Sequence, residues 1–341
     1  MTCMKSFELA QPARCLAAAS EAQSAFRTIY DKSVWVKKDK SSNQLLDAEA
    51  YYTQADPLEM ARQRVSASGH GSDHGLATVA SLRFLREVIR NYSVSSMIDV
   101  PCGDANWQFE TQAVDTIDAY AGLDIVQRVV DFNRRRFSHH SNKVFEVWDF
   151  ATCALPRLQR TKQNGTLPQP FELVHSRDVF QHMRASSALK AIHRVVASGA
   201  RLFIATTFEP HASRAGGHPW RYPPQPHPRP HMPFALSKQP RGADASRSST
   251  WSWPWASRMP GGRALQDRME AAESPKVAEE GGFAQVNLGA RPFVLPPPVR
   301  CVATHPTIEP DLTCLYVLTS SWKKEWRARQ RRCGTACTPE L

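Results

Sequence analysis

The chain contains no run of about 18 consecutive apolar residues, the length a membrane-spanning helix needs, so no transmembrane segment is expected. It has no Gly-x-Gly-x-x-Gly run. Close approach of a dinucleotide pyrophosphate needs those glycines, which disfavours a nicotinamide-dependent oxidoreductase. It has no pair of Cys-x-x-Cys clusters, and a chain of 341 residues can bury a core without a disulfide framework. Cys3, Cys15, Cys102, Cys153, Cys301, Cys314, Cys333 and Cys337 are therefore read as free thiols in a reducing compartment. Cys333 and Cys337 are the nearest pair, but no second His/Cys pair completes a zinc set, so no metal is expected. No internal repeat is present. Residues 1–27 are rich in Ala and Ser but lack the unbroken apolar stretch of a secretory signal. A cytoplasmic protein is expected. An organellar transit peptide is the alternative, and Glu8 and Glu21 count against it.

What is present begins with 42% apolar residues, enough for a globular core. The most informative stretch is Ser96-Met97-Ile98-Asp99-Val100-Pro101-Cys102-Gly103-Asp104-Ala105-Asn106-Trp107. It reads as an apolar strand ending in an acid, a tight Pro/Gly turn, then the start of a helix. Such a turn brings backbone N–H groups to a bound ligand.

The same alternation continues along the chain. Residues 76–91 carry Leu82, Leu85, Val88 and Ile89 at helical spacing. Strands are expected at 97–100, 119–123, 143–148, 171–175 and 200–208. Helices are expected at 105–114, 126–137 and 186–197. Strands alternating with helices imply crossover connections and a parallel sheet covered on both faces. The pattern breaks at residue 209, and eight prolines between Pro219 and Pro240 exclude a helix or central strand there.

The expected organisation is a partly helical N-terminal extension (1–63), a Rossmann-like core (64–208) and a Pro/Arg/Trp-rich insertion, disordered in large part (209–280). C-terminal strands complete the sheet (281–320), and a basic tail follows (321–341). The strands at 291–298 and 313–319 would form an antiparallel hairpin. The fold class is thus α/β, a doubly wound sheet that is mainly parallel.

Three acids, Asp99, Asp124 and Asp149, fall just past three successive strands. In a doubly wound sheet, ligands bind in the crevice outside the carboxyl ends of the strands, so all three would line it. Asp124 follows Gly103 by 21 residues, which suits a carboxylate accepting hydrogen bonds from a ribose. The missing glycines and the carboxylate of Asp104 argue against a pyrophosphate. A ligand with a ribose, an adenine and a cationic amino-acid end fits better, and S-adenosylmethionine has those parts.

The run Ile98-Asp99-Val100-Pro101-Cys102-Gly103-Asp104 resembles the first motif of class I S-adenosylmethionine-dependent methyltransferases. Ala121-Gly122-Leu123-Asp124-Ile125 resembles the second motif and Glu146-Val147-Trp148-Asp149-Phe150 the third. Residues 171–183 resemble the fourth strand and the loop after it. Within the superfamily the chain resembles a little-characterised group with a Ser-Gly-x-Gly-Ser loop, here Ser68 to Ser72. That group also has a late Gly-Gly-Phe…Pro-Phe-x-Leu-Pro-x-Pro segment, here Gly281 to Pro298.

The resemblance implies an S-adenosylmethionine-dependent methyltransferase. Asp99, Pro101, Cys102 and Gly103 would shape the methionine pocket, with Asp99 or Asp104 near the ammonium group. Asp124 would hold the ribose and Ile125 would lie against the adenine. Asp149 would accept from the adenine amino group, with Phe150 beside it. Ser176 and Arg177 would stand near the methyl end. Pro101 stands where many members have glycine, so the turn would be stiffer.

If the acceptor carries a proton, a base is needed. Asp178 and His182, four residues apart, would share a face if that loop were helical. Trp107, beside the turn, is a candidate wall of the pocket.

The net charge of +11 is concentrated at residues 211–263 and at Lys323, Lys324, Arg327, Arg329, Arg331 and Arg332. Such blocks suit a nucleic-acid or acidic partner; the plainer reading is a solvated tail. The acceptor, a small molecule or a protein, is not named by the sequence. The alternative function is a catalytically inactive methyltransferase fold that engages RNA or a protein through its basic segments.

Overall fold

The apolar runs that end in acids become neighbouring strands of one sheet. The computed structural model describes residues 7–10, 21–31, 66, 68, 72, 76–109, 112–160, 167–208, 288–289, 293–303 and 311–334. In chain order these form β1 (Phe7–Ala10), α1 (Glu21–Asp31), α2 (Leu76–Asn91), β2 (Ser96–Asp99), α3 (Gln112–Asp115), β3 (Ala119–Asp124), α4 (Gln127–Arg136) and β4 (Lys143–Val147). They continue with β5 (Arg157–Arg160), β6 (Leu173–Ser176), α5 (Ala185–Ala197), β7 (Leu202–Phe208), β8 (Arg300–Ala303), β9 (Asp311–Val317) and α6 (Ser320–Cys333).

The main sheet has the order β4-β3-β2-β6-β7-β9-β8. Its first five strands are parallel, and β9 runs antiparallel to both β7 and β8. Order reverses between β2 and β6, so the ligand crevice belongs above Asp99 and its neighbours. The sheet is the Rossmann-like, mainly parallel architecture with a C-terminal antiparallel hairpin.

Side-chain alternation explains why β2, β3 and β7 are buried along their whole length. On one face Val174, Phe203 and Tyr316 pack with Leu189, Ile192 and Val195 of α5 and with Trp322 and Trp326 of α6. On the other, Met97, Leu173 and Ile204 pack with Leu82, Leu85 and Val88 of α2. Polar ends tie the layers together: Trp326 Nε1 donates to the Phe293 carbonyl at 2.9 Å.

Several expectations are corrected. The helix over 105–114 is replaced by turns at 106–109 and the short α3; in the turns Gln108 Nε2 reaches back to Asp99 Oδ2 and the Cys102 carbonyl, both at 3.0 Å. The first strand of the hairpin is not 291–298. Within that stretch 293–298 is irregular and contains Pro296, Pro297 and Pro298, which have no N–H to give a ladder. The strand starts later, at Arg300, opposite Leu315.

Residues 7–10 and 21–31 do not stand apart from the core. β1 pairs antiparallel with β5, and Phe7 stacks edge-on to Phe171 at 6.2 Å. The basic stretch at the C-terminal end is not a solvated tail over 320–333. It is α6, whose Trp322, Trp326, Arg329 and Gln330 face inward while Lys324, Arg327, Arg331 and Arg332 face out.

The thiols are not all free. Cys301 and Cys314 lie opposite each other in the β8–β9 register and form a disulfide, and Cys153 and Cys333 are disulfide-bonded as well. Cys102 is free and buried. The reducing compartment inferred from free thiols loses that basis. The Pro/Arg/Trp-rich segment 209–280 lies outside the described residues, as do most of 1–63 and 281–287. Among the described residues no helix is long and apolar enough to cross a membrane.

Candidate functional site

A crevice of about 100 Å³, open to solvent, lies at the carboxyl ends of β2, β3, β4 and β6. Its floor is built on Asp99, the last residue of β2, which is fully buried. Asp99 Oδ1 pairs with His175 Nδ1 at 2.7 Å. Its Oδ2 accepts from Tyr120 Oη at 2.7 Å and from Gln108 Nε2 at 3.0 Å. The geometry follows from register: Asp99 is the direct neighbour of His175 on β6, and Tyr120 lies on β3 next door. Burial and the Asp99 charge push the Tyr120 hydroxyl well above the ordinary phenol range.

The turn after β2 passes through Pro101, Cys102 and Gly103. Gly103 has a φ of +53°, and a Cβ there would come within 2.6 Å of Ser68 Oγ, so both conformation and space require glycine. Its N–H donates to Asp124 Oδ2 at 3.1 Å, while Val126 N–H donates to Asp124 Oδ1 at 3.0 Å. Asp124 thereby joins the turn after β2 to the turn after β3, the Ile125 N–H is a third donor to it, and a carboxylate's roughly four acceptor positions leave room for a ligand donor. Burial pushes its carboxyl up to about 6, against the downward pull of those N–H groups. Burial, then the Asp124 and Asp99 charges, hold the Cys102 thiol well above its usual range.

Past β4, Asp149 Oδ1 accepts from Ala151 N–H at 3.0 Å, which fixes the turn that carries Phe150. Trp148 contributes a buried indole N–H with no partner among the described residues. Past β6, Arg177 lies over the Trp107 ring, its Cζ 5.2 Å from the centroid, and pairs with Asp178 at 3.1 Å. Asp178 takes a φ of +52° and exchanges hydrogen bonds with Thr206, its N–H and its Oδ1 each 3.0 Å from Thr206 Oγ1.

The cover comes from α1. Ala22, Phe26 and Tyr30 recur every four residues, so they share one helix face and line the crevice. Gln23 Nε2 donates to the Ile125 carbonyl, and Tyr30 Oη donates to Ser68 Oγ, both at 3.2 Å. Arg128 pairs with Asp31 at 2.7 Å, and Arg184 pairs with Glu21. Burial, with Asp124 behind it, raises the Tyr30 hydroxyl well above its ordinary value.

Of the residues singled out from sequence, Asp99, Pro101, Cys102, Gly103, Asp124, Ile125, Asp149, Phe150, Arg177, Asp178 and His182 line the crevice, as does Trp107. Asp104 and Ser176 do not. Both Asp104 oxygens accept from Ser66 Oγ at 2.9 Å, which ties the 66–68 segment to the turn. Ser176 follows His175 on β6, so its side chain points to the opposite face and is fully buried. Asp178 and His182 reach the crevice without sharing a helix: Asp178 is left-handed, and Phe180–His182 is a 3₁₀ turn. His175, Tyr120, Gln108 and the α1 residues were not read from the sequence. His175 could have been found by aligning β2 with β6, and the α1 face by its spacing of four.

Residues 72–239 match a family model described as a methyltransferase domain. No curated protein sequence matches the chain. Among solved structures the chain is similar to magnesium protoporphyrin IX methyltransferase from Synechocystis with bound S-adenosylmethionine. Identity there is 13%, covering 57% of this chain and 79% of that one, with a TM-score of 0.34. It is similar to the N-methyltransferase NodS of Bradyrhizobium japonicum with S-adenosylhomocysteine at 11% identity, covering 45% and 74%, TM-score 0.32. Human N-acetylserotonin methyltransferase with S-adenosylmethionine is similar at 15% identity, covering 57% and 50%, TM-score 0.32. The Rossmann-like sheet thus lies largely within a stretch, residues 72–239, that is similar to a methyltransferase domain.

Proposed function

We propose that the crevice binds S-adenosylmethionine and that the chain transfers its methyl group to a small-molecule or protein acceptor. The observation that carries this reading is Asp124, a buried carboxylate at the crevice wall held by the N–H groups of Gly103, Val126 and Ile125. Its remaining acceptor capacity suits a ribose hydroxyl, which is a donor. The indole N–H of Trp148 is a donor for an adenine ring nitrogen, beside Asp149 and Phe150. Ile125 would lie against the adenine. Pro101, Cys102 and Gly103 would border the amino-acid end, with Arg177 near the reacting methyl.

When bound, the sulfonium supplies an electrophilic methyl group. The chain's part is to align the acceptor with it and to exclude water. Asp178 accepts from Thr206 and pairs with Arg177, so its role is to fix Arg177 at the crevice wall. His182 is then the proposed proton acceptor where the methyl acceptor carries a proton.

Calorimetric titration with S-adenosylmethionine and, separately, with NAD tests the reading. Micromolar binding of the first alone, lost in Asp124→Ala, is expected. Binding of NAD, or of neither, would contradict it.

A further inference from the structure

α5 and α6 lie side by side on one face of the sheet. The Trp326 and His193 rings are 4.7 Å apart, and Gln330 Nε2 meets His193 Nε2 at 2.9 Å. α5 carries Lys190 and Arg194 and no acid. α6 carries six Lys and Arg residues and one acid, Glu325, which accepts from Arg329 at 2.7 Å. Lys190, Arg194, Lys323, Lys324, Arg327 and Arg331 have no carboxylate partner among the described residues.

Packing does not require this charge. Trp322, Trp326, Arg329 and Gln330 make the inward face of α6, while Lys324, Arg327 and Arg331 point out. Lys323 and Lys324 stand in or just after the first turn, where the helix dipole disfavours cations and where α6 has no acid. Lys323, Arg327 and Arg331 recur every four residues, and like charges at that spacing oppose helix formation. Burial, then the Arg327 charge, hold the Lys323 amine below its usual range. Cations set against helix stability on an exposed face call for an anionic partner.

The rest of the face says which. The large apolar side chains exposed among the described residues, Val79, Leu167 and Val299, all lie elsewhere. Insertion into a lipid surface needs exposed apolar residues, and a protein interface needs apolar or aromatic anchors at its centre. With both tryptophans of α6 turned inward, the helix offers no ring to stack on an unpaired base. What remains are cations and hydroxyls, with a rise of about 6 Å between residues four apart. They suit rows of phosphates rather than base edges. Double-stranded RNA is recognised in that way, through phosphates and 2′-hydroxyls, and the exposed Ser320 and Ser321 place hydroxyls beside the cations.

We propose that the outward face of α6, with Lys190 of the adjoining α5, docks the phosphate backbone of double-stranded RNA. None of these residues lines the crevice, so the site is separate from it and does not rest on the methyltransferase reading.

Fluorescence anisotropy of the full chain with a short labelled RNA duplex tests this. Micromolar binding is expected at about 0.1 M salt, with log affinity falling against log salt at a slope of about −3 or steeper. The combined Lys324→Gln, Arg327→Gln and Arg331→Gln variant is expected to lose about tenfold or more in affinity and to flatten that slope by about 2–3. It should melt and bind S-adenosylmethionine as the wild type does, because these side chains have no carboxylate partner to lose. Arg83→Gln, Arg86→Gln and Arg90→Gln together, on the exposed side of α2, remove the same charge elsewhere and should leave RNA binding within about twofold. No RNA binding, equal losses in the two variants, or an unchanged salt slope in the α6 variant would overturn the assignment. So would equal or tighter binding of a DNA duplex of the same sequence, of polyglutamate, or of phosphatidylserine vesicles. A wild type that binds RNA but not S-adenosylmethionine would uphold this site and remove the crevice reading.

Discussion

The floor of the crevice and its cover are held by opposite kinds of contact. The floor is a buried network in which Asp99, His175, Tyr120 and Gln108 satisfy one another across three strands and a turn. The cover, α1, is held by ion pairs between exposed or half-exposed side chains, Arg184–Glu21 and Arg128–Asp31, and by two hydrogen bonds at 3.2 Å. A buried network loses much when one partner goes, because the remaining polar groups are stranded away from water. Exposed ion pairs are screened and contribute little each. Stability and recognition therefore separate. The floor is fixed before any ligand arrives, and the cover can be loosened without disturbing it.

The sharpest way to break this contrast is Asp99→Ala. It leaves the donors of His175, Tyr120 and Gln108 unpaired in the interior and is expected to cost about 3–5 kcal/mol in denaturant unfolding. A loss under about 1 kcal/mol would mean that the floor is not a unit.

Next in size is the pH response of Asp124, which stands between floor and cover. Its folded pKa is raised from 3.8 to about 6, so the folded chain holds an extra proton between those values. That contribution to stability is fully present below about pH 4 and is lost as pH rises through about 6, about 3 kcal/mol in all. Melting curves of the wild type and Asp124→Asn should therefore diverge with pH over that window. Ribose recognition runs the other way, because the ionised carboxylate is the better acceptor. Affinity for S-adenosylmethionine should weaken up to tenfold per pH unit below about 6.

On the cover, Tyr30→Phe removes one hydrogen bond to Ser68 and should cost about 1 kcal/mol of ligand affinity, read by titration. Smallest of all, Glu21→Ala should change the unfolding free energy by no more than about 0.5 kcal/mol, and less still in high salt. A larger effect there would erase the distinction between the two regions.

Much of the sheet is legible in the sequence because its strands are short apolar runs, each closed by an acid or a turn residue. Asp99, Asp124 and Asp149 mark one edge of the sheet for the same reason. What escapes are features that depend on pairing across the chain. The contact of His175 with Asp99 needs the β2–β6 register, and the Cys301–Cys314 disulfide needs the β8–β9 register. The helix expected over 105–114 gives way to turns at 106–109, where Gln108 reaches back to Asp99 and the Cys102 carbonyl. In α6 the density of basic residues masks a helical stripe of Trp322, Trp326, Arg329 and Gln330, whose spacing marks a buried face. The α1 stripe of Ala22, Phe26 and Tyr30 is visible as spacing, but only the fold shows that it faces the crevice.

Amide hydrogen exchange of the full chain, with and without saturating S-adenosylhomocysteine, tests the rigid floor and separable cover most directly. Without ligand, β2, β3 and β6 should exchange slowly and α1 quickly. With ligand, new protection should appear at Gly103, Val126 and α1 while the floor strands stay as they were. Rapid exchange in β2 and β6 without ligand, or protection confined to α6, would contradict it.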